Sequence, residues 1–250
     1  MKTIIILSGG GDSGTLLHDL VNQGHEVKAL SFNYGQKHVK ELDFASKMCK
    51  KLGVEHKIID LGIIIPLISN SALTNKNIQV PLGHYEDPSM KITVVPNRNM
   101  IMLSIAIGYA ENLNYNCVSI ANHKGDRSQY PDCRYEYIQA LNLASFLGTY
   151  NNIKIHAPYT ELTKTDIFEI GLELGIDYDK ETWSCYQGGE KPCEGPIKCG
   201  TCTERDEALE GAKKRIQYCD CDANEGHNAG TLPSGKDLII CNKCKKEMKI

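Results

Sequence analysis

The 250-residue chain has no apolar run approaching the roughly 18–20 residues that a membrane-spanning helix needs. It also has no leader-like apolar stretch: after Met1-Lys2-Thr3, the run Ile4 to Leu7 gives way at once to Ser-Gly-Gly-Gly-Asp. A cytoplasmic protein is expected. Nor is there an excess of positive charge. The 28 Lys and Arg stand against 31 Asp and Glu, a net charge of −3, so a broadly basic nucleic-acid face is not expected. Aromatic residues are few, with a single Trp, but 41% of the residues are hydrophobic, which excludes disorder and suffices for one large buried core. No internal repeat is present.

Cysteine, by contrast, is abundant. Three of the 11 (Cys49, Cys117 and Cys133) are scattered, the first two in apolar elements as small core residues, and the other eight fall between Cys185 and Cys244. In a reducing compartment such a cluster reads as metal binding before it reads as disulfides. Cys185, Cys193, Cys199 and Cys202 end in a Cys-Gly-Thr-Cys knuckle and suit one tetrahedral Zn²⁺; with four thiols and no open position the role is structural. Four unrelated thiols are the alternative. Cys219, Cys221, Cys241 and Cys244 suit a second, ribbon-like zinc site, with His227 as a substitute ligand, or else sit idle in a tail. Between them Asn228-Ala229-Gly230 reads as a turn and Asp237 to Ile240 as a strand.

Along the chain, short β-branched runs alternate with helical apolar spacing. Strands are expected at Lys2–Leu7, Glu26–Phe32, Glu55–Leu61, Cys117–Ala121 and Asn152–His156. Helices are expected between them: around Leu16–Val21, from Val39 to Leu52, over Asn97–Glu111 and Cys133–Leu147, and then over Thr163–Leu174 with Thr163 as N-cap and Asp166 three residues on. The pattern predicts an α/β fold with a parallel five-stranded sheet and helices on both faces, followed by a Cys-rich zinc-binding C-terminal region. Ser69 to Thr93 reads as a long loop, a possible lid, and the chain from Trp183 onward as loop. Residues 1–212, including the four-Cys loop at 185–202, form the main domain; 213–250 form a polar, Lys-rich tail or small module.

Ser8-Gly9-Gly10-Gly11-Asp12-Ser13 lies between the first strand and the first helix. Glycines let successive amides turn inward, and with the helix N-terminus behind them they form an anion site. Gly14 and Thr15 continue it into the helix. The loop lacks the Lys of a Walker motif. Asp12 beside a phosphate calls for a cation such as Mg²⁺, unless it turns away to cap the helix.

The loop resembles the SGGxDS motif of the PP-loop ATP pyrophosphatases, although Gly11 stands where a bulky apolar residue is usual. Further segments, Ser31-Phe32-Asn33-Tyr34-Gly35-Gln36, Val95-Pro96-Asn97-Arg98-Asn99, Tyr130-Pro131-Asp132-Cys133-Arg134, Leu162 to Ile167 and Trp183 to Glu190, are similar in order and spacing to the QueC family of queuosine biosynthesis, over about residues 1–212. The resemblance implies an adenine nucleotide α-hydrolase-like fold, a four-Cys zinc site at Cys185–Cys202 and a homodimer. It implies conversion of 7-carboxy-7-deazaguanine and free ammonia, with ATP and Mg²⁺, to 7-cyano-7-deazaguanine, by activation of the carboxylate and then of the amide. Asp12, Ser13, Arg98 and Lys164 are the catalytic candidates. Ser8 to Thr15 would hold ATP. Tyr34, Gln36, Arg98, Tyr130, Asp132 and Arg134 are substrate candidates. Arg98 and Lys164 would meet a phosphate or the substrate carboxylate; Asp132 would accept guanine-like N–H groups or serve as a turn residue or N-cap; Tyr34, Tyr130 and Trp183 would stack on a base or fill the core. One segment departs: Ala121-Asn122-His123-Lys124-Gly125-Asp126 stands where the family more often has Gly-Val-His-Ala-Glu-Asp, with His123 and Asp126 in register. A relative that stops at the amide or ligates the activated acid elsewhere, a tRNA-modifying PP-loop enzyme, and a nucleotide-binding module without catalysis share parts of this pattern.

Overall fold

Ile4 and Ile5 are adjacent and both have no solvent exposure. In a strand, neighbours point to opposite faces, so this pair requires a sheet covered on both sides. The computed structural model, in which residues 1–216 and the strands Gly226–Thr231 and Asp237–Cys241 are described, provides that. Strands β1 (Lys2–Ile6), β2 (Glu26–Asn33), β3 (Glu55–Asp60), β4 (Cys117–Ser119) and β5 (Lys154–His156) form one sheet in the order β3-β2-β1-β4-β5, every pairing parallel.

Ile4 packs with Leu30, Phe32 and Val118 against Met102, Leu103 and Ala106 of helix α3 (Arg98–Asn112), and α4 (Tyr135–Gly148) lies over β5 on the same side. Ile5 and Leu7 pack on the other face, against α1 (Gly11–Asn22), α2 (Glu41–Leu52) and α5 (Lys164–Glu173), through Leu16, Leu17, Leu20, Ala45, Met48, Ile167 and Phe168. Each such fully buried aliphatic side chain contributes about 1.5–3 kcal/mol. Helix α5 starts as the sequence predicts: Thr163 Oγ1 accepts from the Asp166 N–H at 3.2 Å, and Asp166 Oδ2 accepts from the Thr163 N–H at 2.8 Å.

Three readings are corrected. The chain after Trp183 is not all loop. After the short α6 (Tyr178–Glu181), a 17-residue helix, α7 (Gly200–Ile216), starts inside the Cys knuckle and buries Ala208, Leu209 and Ala212 beside α5. Its polar, charged sequence shows little apolar periodicity, because a narrow face suffices to dock on α5. The helix also runs through residues 212 and 213. The stretch Pro131–Cys133 is a 3-10 turn, so α4 starts only at Tyr135. Asn228-Ala229-Gly230 is not a turn: it lies within β6 (Gly226–Thr231), antiparallel to β7 (Asp237–Cys241), where one extra residue bulges between the Asn228–Ile239 and Gly230–Leu238 pairs. The expected strand at Asp237–Ile240 is present. Cys241 ends β7; Cys219, Cys221 and Cys244 of the expected second metal group lie outside the described residues.

Candidate active site

Chain order reverses across the sheet between β1 and β4, and ligands of open parallel sheets bind where such neighbouring strands end. A half-open cleft lies there, with about 1020 Å³ of space when the solvent at its mouth is included. Ser8, Gly10, Gly11, Asp12 and Ser13 line it from β1; Ala121 and Asn122 line it from β4; Arg98, Asn99 and Lys164 line it from the starts of α3 and α5.

The glycine loop is fixed from behind. Gly9 has φ +96, and a Cβ there would lie 2.0 Å from the Glu41 carbonyl oxygen, so position 9 admits only glycine. Ser8 Oγ accepts from the Gly10 N–H at 3.1 Å and shares a hydrogen bond with Ser13 Oγ at 2.9 Å. Gly10 is the N-cap of α1 and supplies no side chain, so the free amides of that helix end remain available to an anion. A side chain at Gly11 would meet Phe168 at 2.7 Å, and Phe168 stacks on Tyr178 with ring centroids 4.1 Å apart. The missing bulk at position 11 is therefore supplied by α5 and α6.

Asp12 does not cap the helix. Its Oδ2 lies 3.2 Å from Lys164 Nζ, which also donates to Glu204 Oε2 at 2.8 Å, while its Oδ1 is buried without a partner. Burial works against the charge of Lys164, but Asp12 and Glu204 outweigh it and hold the ammonium firmly protonated. His123, almost fully buried, accepts the Gly125 N–H at Nδ1. Its Nε2 faces Asp126 Oδ1 at 3.5 Å and Asp12 Oδ2 at 3.9 Å. Tyr85, from the long loop, donates to Asp126 Oδ1 at 3.0 Å. That loop is packed down: Ala72, Leu73 and Val80 are buried, and Leu82 bridges to Cys199.

The opposite wall is aromatic. Tyr34, Tyr130, Tyr186 and Trp183 line the cleft and are all largely buried. Arg98 donates to Tyr34 Oη at 3.3 Å, and among the described residues no carboxylate lies within ion-pair distance of its guanidinium. Burial pushes Glu41 up to about 8 and, with Arg98 as a second cause, pushes His38 down to about 3; both therefore enter the cleft wall uncharged near neutral pH.

Of the candidates read from sequence, Ser8, Gly10, Gly11, Asp12, Ser13, Tyr34, Arg98, Tyr130 and Lys164 meet in this cleft. Six do not line it. Gly9 faces α2 and Gly14 faces Met48; the Thr15 hydroxyl is tied to Gly11 O at 2.8 Å and to Tyr178 Oη at 2.6 Å. Gln36 is spent on backbone and Glu41, bonding Tyr34 N, Phe32 O and Glu41 Oε1. Asp132 Oδ2 accepts the Asn99 N–H at 3.0 Å and so caps α3 from 33 residues away. Arg134 is exposed and bonds the Arg127 carbonyl. Sequence reasoning passed over Tyr85, Asn99, Asn122 and Glu204. Glu204 was hidden by reading α7 as loop; Asn122 stood in a segment marked only as unusual.

The thiol sulfurs of Cys185, Cys193, Cys199 and Cys202 all lie within 4.8 Å of one another, a spacing that fits one tetrahedral metal ion. Cys199 and Cys202 flank the start of α7, so the cluster holds the helix that carries Glu204.

Residues 2–213 match the family model described as "Queuosine biosynthesis protein QueC". The chain is 50% identical over 220 residues to the 7-cyano-7-deazaguanine synthase of Caldicellulosiruptor saccharolyticus, covering 87% of this chain and 96% of that one. It is also 50% identical over 219 residues to the 7-cyano-7-deazaguanine synthase of Alteromonas mediterranea, covering 87% and 98%.

Proposed function

The chain belongs to the QueC family, and from that premise we infer that it converts 7-carboxy-7-deazaguanine, ammonia and ATP into 7-cyano-7-deazaguanine. The observation that carries the reading is Arg98. A partly buried guanidinium lining a cleft, with no carboxylate of the described residues within ion-pair distance, is open to an anion, and a substrate carboxylate would fill that place.

The cleft then divides the work. Arg98 orients the carboxylate of the acid toward the glycine loop. A carboxylate oxygen attacks the α-phosphorus of ATP and displaces pyrophosphate, whose charge meets the α1 amides and the Ser8 and Ser13 hydroxyls. Ammonia attacks the resulting acyl adenylate, AMP leaves, and an amide forms. Activation of the amide oxygen by ATP, followed by loss of that activated oxygen and two N–H protons, gives the nitrile. Asp12 Oδ1, buried and unpartnered, is the atom that suits Mg²⁺; the ion would neutralise the phosphate oxygens when bound. Lys164 holds Asp12 in place from the other side.

The same reading assigns Zn²⁺ to Cys185, Cys193, Cys199 and Cys202 as a structural ion. It divides the chain into a synthase domain, 1–212, and an appended module, 213–250, as the extent of the family match supports. It also describes a cytoplasmic homodimer with no nucleic-acid partner. The apolar surface of α4, with Leu143 58% and Leu147 73% exposed and Tyr150 just beyond, supports self-association, and the net charge of −3 supports the last point.

The test is mass spectrometry of a reaction holding the purified protein, ATP, Mg²⁺, ammonium and 7-carboxy-7-deazaguanine. The nitrile, with pyrophosphate released, is the expected product. Accumulation of the amide alone, or no turnover of the acid, would overturn the assignment.

A further inference from the structure

Asn122 lies three residues past the end of β4, is 3% exposed and lines the cleft. Its Nδ2 donates to the Cys133 carbonyl at 3.0 Å and to Thr160 Oγ1 at 3.2 Å. A carbonyl only accepts, so the first bond fixes which end of the amide is which, and the two bonds use both Nδ2 hydrogens. The other end, Oδ1, is buried without a partner. A buried acceptor left in that state costs stability, so the residue either tolerates a defect or awaits a donor.

Its surroundings favour a donor. Among the described residues nine buried side-chain polar atoms lack partners, and four of them, on Asp12, His38, Asn122 and Trp183, belong to side chains lining this one cleft. Asp12 carries charge and suits a cation, Trp183 can only donate, and His38 can do either. Asn122 Oδ1 is thus the neutral atom of the set that can only accept. Cys133, which its amide holds, also receives a bond at Sγ from Asn99 Nδ2 at 3.2 Å, and Asn99 is the neighbour of Arg98. The acceptor therefore belongs to the Arg98 wall, where the carboxylate is anchored.

We propose that Asn122 is a specificity-determining residue whose side-chain carbonyl accepts an N–H of the deazaguanine ring system, the role that sequence reasoning offered to Asp132. The proposal rests on the reading that this cleft takes 7-carboxy-7-deazaguanine. The same donor chemistry is present on the amino group of adenine, so the test separates the two sources.

Binding of 7-carboxy-7-deazaguanine and, separately, of a non-hydrolysable ATP analogue is measured by calorimetry on the full chain, for the wild type, Asn122→Val and Asn122→Asp, with thermal unfolding of each variant. Both substitutions lose the two Nδ2 bonds, but Asp keeps an acceptor oxygen. The expected result is a loss of about 10- to 30-fold for the acid in Asn122→Val, recovery to within about 3-fold in Asn122→Asp, and no change for the ATP analogue. Equal losses in both variants would reduce Asn122 to a structural residue, and a loss confined to the ATP analogue would assign the acceptor to adenine; either overturns the proposal, as does no change at all. A wild-type protein that fails to bind the acid overturns the functional reading itself, which keeps the two failures apart.

Discussion

Lys164 and Arg98 are two partly buried cations in the same cleft, and they are held in opposite ways. Lys164 is saturated: Asp12 and Glu204 close on its ammonium within 3.2 Å. Arg98 has a tyrosine hydroxyl and an aromatic wall, with no carboxylate in ion-pair distance among the described residues. The first arrangement is complete in the free protein and belongs to the architecture of the loop. The second, on the proposed reading, is completed by an incoming anion. Net charge and composition do not distinguish them, and neither does position, since both stand at helix starts.

The largest expected effect tests what stands behind the Lys164 side. Stripping metal from the four thiols with a chelator should lower unfolding stability by roughly 5 kcal/mol or more, a part of the about 10–16 kcal/mol with which isolated zinc modules hold their ion. Denaturant unfolding with parallel metal analysis checks it; an unchanged midpoint after complete removal would detach α7 from the cluster. Next, Lys164→Met should destabilise the free protein by about 3 kcal/mol, because it leaves the partly buried Asp12 and Glu204 without their cation. Arg98→Met should do the reverse: stability unchanged or raised, but binding of the acid weakened by about 2–5 kcal/mol. Thermal melts beside calorimetry read both, and a matching loss of stability in the two variants would erase the distinction between them.

How much of this was legible in the sequence follows the same division. The five strands, the parallel sheet their alternation with helices implies and the capping box of α5 were readable, because each is written in contiguous residues; the order of the strands across the sheet was not. The glycine loop was readable for the same reason. Asp132 stood between a ligand contact and a cap, and the sequence could not choose because the amide it accepts, that of Asn99, is 33 residues away. Helix α7 was missed because its apolar face is only Ala208, Leu209 and Ala212 wide. Gly11 looked like a gap in the motif; in the fold, Phe168 occupies that space.

Two smaller effects sharpen the contrast further. Gly11→Ala should cost about 1–3 kcal/mol, since the new Cβ lies 2.7 Å from the Phe168 ring; chemical denaturation gives the number, and a neutral result would mean the stack yields freely. On the Arg98 side, Glu41 is raised from 4.5 to about 8, so the folded state retains a proton that the unfolded chain releases, and its stabilising effect is lost as pH rises through that range. His38, lowered from 6.5 to about 3, has the opposite slope up to pH 6.5. The two offset each other between about 4.5 and 6.5, and Glu41 acts alone above that. Glu41→Gln should therefore remove a decline of about 2 kcal/mol between pH 6.5 and 8. Unfolding curves at the two pH values are sufficient, and an undiminished decline in the variant would place its origin elsewhere.

The unmatched guanidinium has a consequence for turnover. On the proposed reaction the group that Arg98 grips is an anion only at the start. The amide is neutral, and so is the nitrile. The first activation therefore removes the charge by which Arg98 holds the acid, and the charge on Arg98 is again without a counterpart when the product is complete. Release is then driven by the reaction itself, and a fresh molecule of the acid outcompetes the finished nitrile for the same wall.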